Sequence, residues 1–276
     1  MMRAENQVLQ EKLDSLMHIL SQMGSVAVAY SAGVDSTLLA TVAHEVLGNN
    51  MLAITVAGHA IPAREIERAR AFCAERHIPH VVMPFDELEV PGFRDNPKDR
   101  CYHCKKELFK RMATLAVEHK MACLVDGSNV DDQGDYRPGL RALSELGIRS
   151  PLQEAGLTKA EIRELSRGYG LPTWDMPSAA CLASRFAYGE AITLEKLKRV
   201  ERAEDYLHDL GFVQLRVRVH GAAGELARIE VMPDKLAQLA DPLTREQVVA
   251  HLKELGFTYV TLDLAGFRSG AMNEVL

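Results

Sequence analysis

Four short apolar runs alternate with helical patterns along the first half of the chain. The runs are rich in β-branched residues and cover 26–30, 52–57, 80–85 and 123–127. Amphipathic stretches separate them, at 36–47, 62–76 and 101–119. This alternation predicts the α/β class, with a parallel sheet flanked by helices. Because ligands bind at the carboxyl ends of the strands in such sheets, we expect the functional site where these runs end.

The pattern changes after residue 190 to that of a smaller α+β domain. Its predicted elements are a helix at 193–210, strands at 215–221 and 227–232, two helical stretches up to 255 and a strand at 259–265. Between the two patterns, residues 130–190 are loop-rich, apart from a helix opened by the capping box Thr158–Glu161. We therefore expect two domains, 1–188 and 189–276.

The first 24 residues place apolar side chains on one face of a helix, among charged residues. They lack the uninterrupted apolar core of a signal peptide, and no stretch of the chain approaches 18 consecutive apolar residues. The five cysteines, an odd number, indicate reduced thiols rather than a disulfide framework. We therefore expect a cytoplasmic protein with no membrane span.

Composition is that of a globular protein, with 47% hydrophobic and 25% charged residues in a chain of 276. The formal net charge is −6. A general electrostatic footprint for DNA or RNA is therefore missing, and we expect a small-molecule substrate rather than a nucleic acid.

The first chemical signal is the stretch AYSAGVDSTLLA at residues 29–40. A strand that passes through such a turn directly into a helix points several backbone N–H groups at one place, which makes an anion site. Gly33 lets the backbone approach a ligand, and Ser31 and Ser36 add hydroxyl donors. Asp35 can hold Mg²⁺ on the phosphates. The alternative is an ordinary turn in which Asp35 or Ser36 caps the helix.

This stretch resembles the PP-loop of the N-type ATP pyrophosphatases, which most members write as S-G-G-x-D-S. Ala32 stands where those members have the first glycine. The resemblance implies an adenine nucleotide alpha hydrolase-like fold and a reaction in which a substrate oxygen takes AMP from ATP and pyrophosphate is released. The implied ATP-binding residues of the loop are Ser31, Ala32, Gly33, Val34 and Ser36.

Cysteines suited to chemistry occur at two places. Cys101 and Cys104 begin a helical pattern three residues apart, so both thiols lie on one face, where a helix N-terminus favours the thiolate. Cys181 lies in a loop of small residues ending in Arg185, whose guanidinium can hold a carboxylate or phosphate. The alternatives are a zinc site or structural thiols for the first pair, and an inert buried thiol for Cys181. The remaining cysteines are predicted to be structural: Cys73 and Cys123.

A polar turn follows the fourth apolar run. It contains Gly127 and Asn129, which we expect at the ligand edge of the sheet, near ATP or its metal ion. An Asn- and Asp-rich turn without a ligand is the alternative.

Arginines mark the C-terminal domain. Arg216 and Arg218 alternate with apolar residues, so both guanidiniums lie on one face of a strand and suit a phosphate or a dicarboxylate. Solvated strand arginines are the alternative. Arg268 is a weaker candidate of the same kind, and Glu230 either joins a second metal site or pairs with Arg228.

Taken together, the motifs resemble the LarE family along essentially the whole chain. They are SAGVDS, NPKDRCYHCKKELF, DGSNVDD, GLPTWDMPSAACLASR, LRVRVHG, ARIEV and GFRSGAMNEVL. LarE enzymes are ATP-dependent sulfurtransferases that convert pyridinium-3,5-biscarboxylic acid mononucleotide to thiocarboxylates, for the nickel-pincer nucleotide cofactor of lactate racemase. The resemblance implies that activity here. The implied substrate-binding residues are Arg185, Arg216, Arg218 and Arg268.

The source of sulfur has two alternatives within this resemblance. In the sacrificial one, the sulfur of Cys181 attacks the acyl-AMP, and elimination then leaves dehydroalanine. In the other, a [4Fe-4S] cluster carries an additional sulfide, and Cys101, Cys104 and Cys181 are its ligands if the fold brings them together.

The resemblance also implies a homo-oligomer and a hand-off to other proteins of nickel-pincer biosynthesis. Two alternatives to this function remain. One is an amidating or tRNA-thiolating PP-loop enzyme, and the other is a regulator that binds a nucleotide without cutting it.

Overall fold

The computed structural model describes residues 2–134, 138–221 and 223–271. Part of the loop at 131–139 and the end of the C-terminal motif, 272–276, lie outside the described residues. The chain divides into two compact units, Met1–Phe85 with Cys101–Ala179 and Asp86–Arg100 with Ala180–Leu276. The second unit therefore starts before the expected boundary at 188, and it includes a segment from the first half of the chain.

The first unit is built around a parallel sheet. Among the described residues its strands are β1 Val26–Ala29, β2 Met51–Ala57, β3 His80–Pro84 and β4 Cys123–Val125. Their order is β3-β2-β1-β4, and each adjacent pair is parallel. The α/β prediction is confirmed, because the apolar runs form these strands and helices connect them.

Helices cover this sheet. They are α1 Met2–Met23, α2 Val34–Leu47, α3 Ala63–Glu75, α4 Arg100–Glu118, α5 Pro138–Glu145, α6 Pro151–Glu154 and α7 Lys159–Gly168. Apolar side chains of α1 and α2 are fully buried in one core with the central strand, among them Leu16, Leu20, Leu38 and Leu39. Since β1 is central, the turn that follows it lies in the middle of the carboxyl edge of the sheet.

The second unit contains a smaller mixed sheet. Its strands are β5 Leu215–His220, β6 Leu226–Val231 and β7 Tyr259–Leu262, in the order β5-β6-β7. β5 and β6 are antiparallel, and β6 and β7 are parallel. The accompanying helices are α8 Leu194–Asp209, α9 Leu236–Ala240 and α10 Pro242–Glu254. α8 packs on β5, so alternate apolar residues of that strand are buried and its arginines share the other face.

Residues 86–100 are tied to the second unit by backbone hydrogen bonds. The Ile192 N–H donates to the Arg94 carbonyl at 2.8 Å, and the Gly189 N–H donates to the Asn96 carbonyl at 2.9 Å. The strand–helix alternation gave no reason to separate this segment from its neighbours. In the described part of the chain, no helix is long and apolar enough to cross a membrane.

The capping box predicted for α7 is present. Thr158 accepts from the Glu161 N–H, and the Glu161 carboxylate accepts from the Thr158 N–H at 2.9 Å. We expect Thr158→Ala to lower the free energy of unfolding by about 1 kcal/mol, because a helix N–H loses its acceptor. Urea unfolding followed by circular dichroism measures this. Thr114→Ala, at an exposed hydroxyl of α4, is the control and should change it by less than about 0.5 kcal/mol; equal effects would contradict the cap's contribution.

Candidate functional site

The turn after β1 leaves the start of α2 open to a ligand. Gly33 is the N-cap, and within the described residues no side chain caps the helix. The alternative in which Asp35 or Ser36 serves as the cap is therefore not what the fold adopts. Ala32 has φ 54°, in the left-handed region that favours glycine. The first N–H groups of α2 thus point out of the turn, as an anion site requires.

Two hydroxyls line this turn. The Ser31 N–H donates to Ser36 Oγ at 3.2 Å, and the two Oγ atoms lie 3.1 Å apart. Ser36 Oγ also donates to the Gly33 carbonyl at 3.3 Å. These bonds hold both serine hydroxyls beside the helix start, where each can reorient toward a phosphate oxygen.

Asp35 is held from two sides. Asn129 Nδ2 donates to its Oδ1 at 3.1 Å, and the Lys159 ammonium forms an ion pair with its Oδ2. The Lys159 N–H in turn donates to Asp131 at 2.8 Å. The turn after β4 and the start of α7 therefore contact the loop at 31–36. A carboxylate, an amide and an ammonium group lie together beside this loop.

Gly127 lies against the loop. A Cβ at this position would be 3.1 Å from the Ser36 backbone nitrogen and 3.4 Å from Asp35 Cβ. We expect Gly127→Ala to displace the start of α2 by a few tenths of an ångström. For the ATP pyrophosphatase reaction that the resemblance implies, this shift should reduce pyrophosphate release about tenfold, since the rate depends on the positions of the reacting groups. A coupled pyrophosphate assay measures this effect. Gly168→Ala, where a Cβ meets nothing within 4 Å, is the control; an unchanged rate for Gly127→Ala would contradict the close approach.

The cysteines are distributed between the two units. Cys101 and Cys104 are half-buried in the first turn of α4, in the first unit, whereas Cys181 is exposed and precedes the short 3₁₀ turn Leu182–Arg185 in the second. Over residues 2–134, 138–221 and 223–271, no three His, Cys, Asp or Glu side chains form a group that could hold a metal ion. Convergence of the three thiols on a cluster therefore stays a prediction. Cys73 is buried, and burial raises its thiol pKa to about 12.

Two of the predicted arginines are engaged by buried glutamates. Arg185 makes a bidentate ion pair with Glu204, at 2.9 and 2.7 Å. Arg218 does the same with Glu230, at 3.0 and 2.9 Å. Glu230 also lies 3.3 Å from Arg228. The four members of the two bidentate pairs are at most 5% exposed, so these pairs build the interior of the second unit.

Arg216 differs from its neighbours. Its guanidinium lies 5.1 Å from the centre of the Phe267 ring, and the side chain is only partly buried. Burial, together with the positive charge of Arg185, lowers its pKa to about 10. It remains a cation at neutral pH, and the nearby charges of Arg185 and Arg218 are offset by those of Glu204 and Glu230. A partly exposed guanidinium of this kind can bind an anionic ligand. Arg268 is half-buried in the segment after β7.

Comparisons with known proteins support the resemblance. An uncharacterised protein of Synechocystis sp. PCC 6803 is 44% identical over 98% of this chain and 99% of its own length. The pyridinium-3,5-bisthiocarboxylic acid mononucleotide synthase of Lactiplantibacillus plantarum WCFS1, a LarE protein, is 38% identical over 97% of this chain and 96% of that protein. This chain belongs to the LarE family. No protein-family model matches the chain.

Membership of the LarE family makes this protein an enzyme, a sulfurtransferase. A more distant similarity, 29% identity to a glutamine-hydrolysing GMP synthase chain of Methanocella arvoryzae over 65% of this chain and 62% of that protein, agrees with the PP-loop superfamily. The fold class and the enzyme class predicted from the sequence are both confirmed.

Sequence reasoning missed several polar partners in this LarE chain. Lys159 was visible only as the residue after a capping threonine, and nothing local connected it to Asp35. Glu204 is an acidic residue in an amphipathic helix, a position that is ordinarily solvated. Their partners lie 124 and 19 positions away, so only the folded chain identifies them.

Proposed function

We propose that this protein adenylates a carboxylate of pyridinium-3,5-biscarboxylic acid mononucleotide and converts it to a thiocarboxylate with sulfur from Cys181. The observation that carries the proposal is the exposed Cys181 in a loop anchored by buried arginines, within a chain of the LarE family. The name of the Lactiplantibacillus plantarum relative supplies the substrate class, the mononucleotide.

The loop at 31–36 activates the carboxylate. A carboxylate oxygen attacks the α-phosphorus of ATP, the bond to the β-phosphate oxygen breaks, and pyrophosphate leaves. The N–H groups of α2 and the hydroxyls of Ser31 and Ser36 hold the pyrophosphate charge. Asp35 would hold Mg²⁺ together with the substrate phosphates, and the ion would supply charge neutralisation there.

Sulfur transfer follows from the acyl-AMP. The Cys181 thiolate attacks the acyl carbon and AMP leaves, which gives an acyl–S–Cys thioester. Loss of the Cα proton of residue 181 then breaks the Cβ–S bond, releases the thiocarboxylate and leaves dehydroalanine. Arg216, whose guanidinium is partly exposed, is the residue that we assign to the phosphate of the mononucleotide.

Intact-protein mass spectrometry tests this proposal. Anaerobically purified protein is incubated with Mg-ATP and the dicarboxylate mononucleotide, and pyrophosphate and thiolated product are quantified in the same sample. We expect the chain to lose one H₂S for each sulfur transferred, at the peptide that contains Cys181. Thiolated product from an unchanged chain would overturn Cys181 as the donor and favour sulfide on a cluster or a persulfide. No pyrophosphate release would overturn the function.

Assembly belongs to the same proposal. From its membership of the LarE family, we infer a homo-oligomer that hands its product to other proteins of nickel-pincer biosynthesis. Light scattering coupled to size-exclusion chromatography measures the oligomer, and a monomer at micromolar concentration would contradict it.

A further inference from the structure

The loop that carries Cys181 is held through its backbone carbonyls by guanidinium groups. Arg185 donates to the carbonyl oxygens of Ala180 and Cys181, at 2.7 and 3.1 Å. Arg218 donates to the carbonyl oxygen of Ser184 at 2.9 Å. Each of these arginines also pairs with a buried glutamate, so replacing either would disturb the interior of the second unit as well as the loop.

Arg100 supplies a third anchor from a distant part of the sequence. Its Nη1 donates to the Ala183 carbonyl at 2.9 Å, across 83 positions of chain, and to the side-chain oxygen of Asn96. The side chain is 4% exposed, and its guanidinium lies 5.9 Å from the centre of the Phe93 ring. Water competes little for a hydrogen bond in such surroundings, so the bond restrains the loop strongly.

Asn96 holds Arg100 and the end of the same loop together. It is fully buried, and its φ of 51° lies in the left-handed region, which asparagine tolerates better than most residues. Its Nδ2 donates to the Ala187 carbonyl at 2.7 Å. The segment at 86–100 therefore reaches the loop at Ala183 and at Ala187, on the C-terminal side of Cys181.

We propose that Arg100 is a positioning residue for the Cys181 thiol. By fixing the Ala183 carbonyl two residues after Cys181, its guanidinium limits the positions from which the thiolate can approach an acyl carbon. The consequence for catalysis rests on the proposed function, whereas the anchoring of the loop does not. A displacement of about 1 Å in a reacting group can cost on the order of 10²-fold in rate. Loss of the anchor should therefore slow sulfur transfer and spare the adenylation at residues 31–36.

Three variants test the proposal. Arg100→Gln removes the charge and shortens the side chain, and Arg100→Lys keeps one charged donor without the planar fork. Arg94→Gln is the matched control, because Arg94 donates to the Leu88 carbonyl at 2.8 Å within the same segment. Hydrogen exchange of peptides covering 180–187 is measured without substrate, and sulfur transfer and pyrophosphate release are measured in single-turnover reactions.

We expect Arg100→Gln to exchange at least about fivefold faster at 180–187 and to transfer sulfur about 10- to 100-fold more slowly, with pyrophosphate release within about threefold of the parent. Arg100→Lys should restore part of the protection from exchange at 180–187 and part of the rate of sulfur transfer. This variant also tests the proposal if Arg100→Gln fails to fold. Unchanged exchange at 180–187, or equal slowing of the two chemical steps, would overturn the proposal. Absence of pyrophosphate release in the parent protein would instead refute the proposed function, and the exchange data would still decide the anchoring.

Discussion

Replacing Cys181 with serine is expected to abolish sulfur transfer and leave pyrophosphate release within about threefold of the parent. The substitution removes the sulfur atom itself, so no donor chemistry at this position survives. The loop at 31–36, to which we assign adenylation, lies in the other compact unit and keeps its serine hydroxyls and Asp35. Since a missing nucleophile commonly costs about 10⁶-fold, product should fall to the detection limit. Quantified pyrophosphate and thiolated product from one reaction measure both steps.

Two other cysteine variants sharpen this test. Cys123→Ser changes a half-buried thiol of β4 and should retain both steps. Cys104→Ser separates the sulfur sources, because a sacrificial Cys181 does not need it and a cluster does. Sulfur transfer by Cys181→Ser at the parent rate would refute Cys181 as the donor. Loss of sulfur transfer in Cys104→Ser would indicate that the sulfur comes from a cluster.

Glu204→Gln is expected to lower the free energy of unfolding by about 3 kcal/mol at neutral pH. The glutamine keeps the shape but leaves the buried Arg185 guanidinium without its counter-charge, and breaking a buried pair costs about 3–5 kcal/mol. The Val217 N–H, which donates to Glu204 at 2.8 Å, retains an acceptor. Urea unfolding measures the difference. Glu195→Gln, which alters an exposed i,i+4 pair with Arg199 on the same helix, should cost less than about 0.5 kcal/mol.

The same pair predicts how stability depends on pH. Burial opposes ionisation of Glu204, but the charge and hydrogen bonds of Arg185 and the Val217 N–H outweigh it and lower its pKa. A carboxyl whose folded pKa lies below its unfolded value of 4.5 adds stability above that pH, and this contribution is lost as the pH falls through the folded pKa. The difference between parent and Glu204→Gln should thus be largest above about pH 5 and should shrink in acid. A difference independent of pH would contradict the ion pair.

Periodicity alone predicts the sheet and most of its helices, because the spacing of apolar positions differs between a strand and a helix and is visible within each segment of the sequence. The turn at Ser31–Ser36 can also be predicted from the sequence, because the strand, the turn of small residues and the start of the helix are contiguous. The predicted helix at 36–47 begins two residues earlier, at Val34, because Gly33 rather than a polar side chain is the N-cap.

Long-range pairing was beyond such reasoning. The residues 86–100 look like a connection between a strand and a helix, yet Asn96 and Arg100 are buried against residues near 183–189. The register of β5 and β6 places Arg216 directly opposite Glu230, and Arg218 directly opposite Arg228. Arg218 nevertheless forms its ion pair with Glu230, its diagonal neighbour on the adjacent strand. A sequence pattern specifies which face a residue occupies but does not specify its partner on the next strand.

Ala32 has a further consequence for nucleotide recognition. A glycine in its place would sample many backbone conformations in the unliganded protein, and a ligand would have to select one of them. The methyl group of Ala32 narrows the conformations open to the unfolded chain but disfavours φ 54° itself, so the surrounding fold holds the residue there at a cost of about 1 kcal/mol. The conformational entropy of this turn is therefore lost when the chain folds. A triphosphate that binds there would not have to order the turn, which lowers the entropic cost of binding.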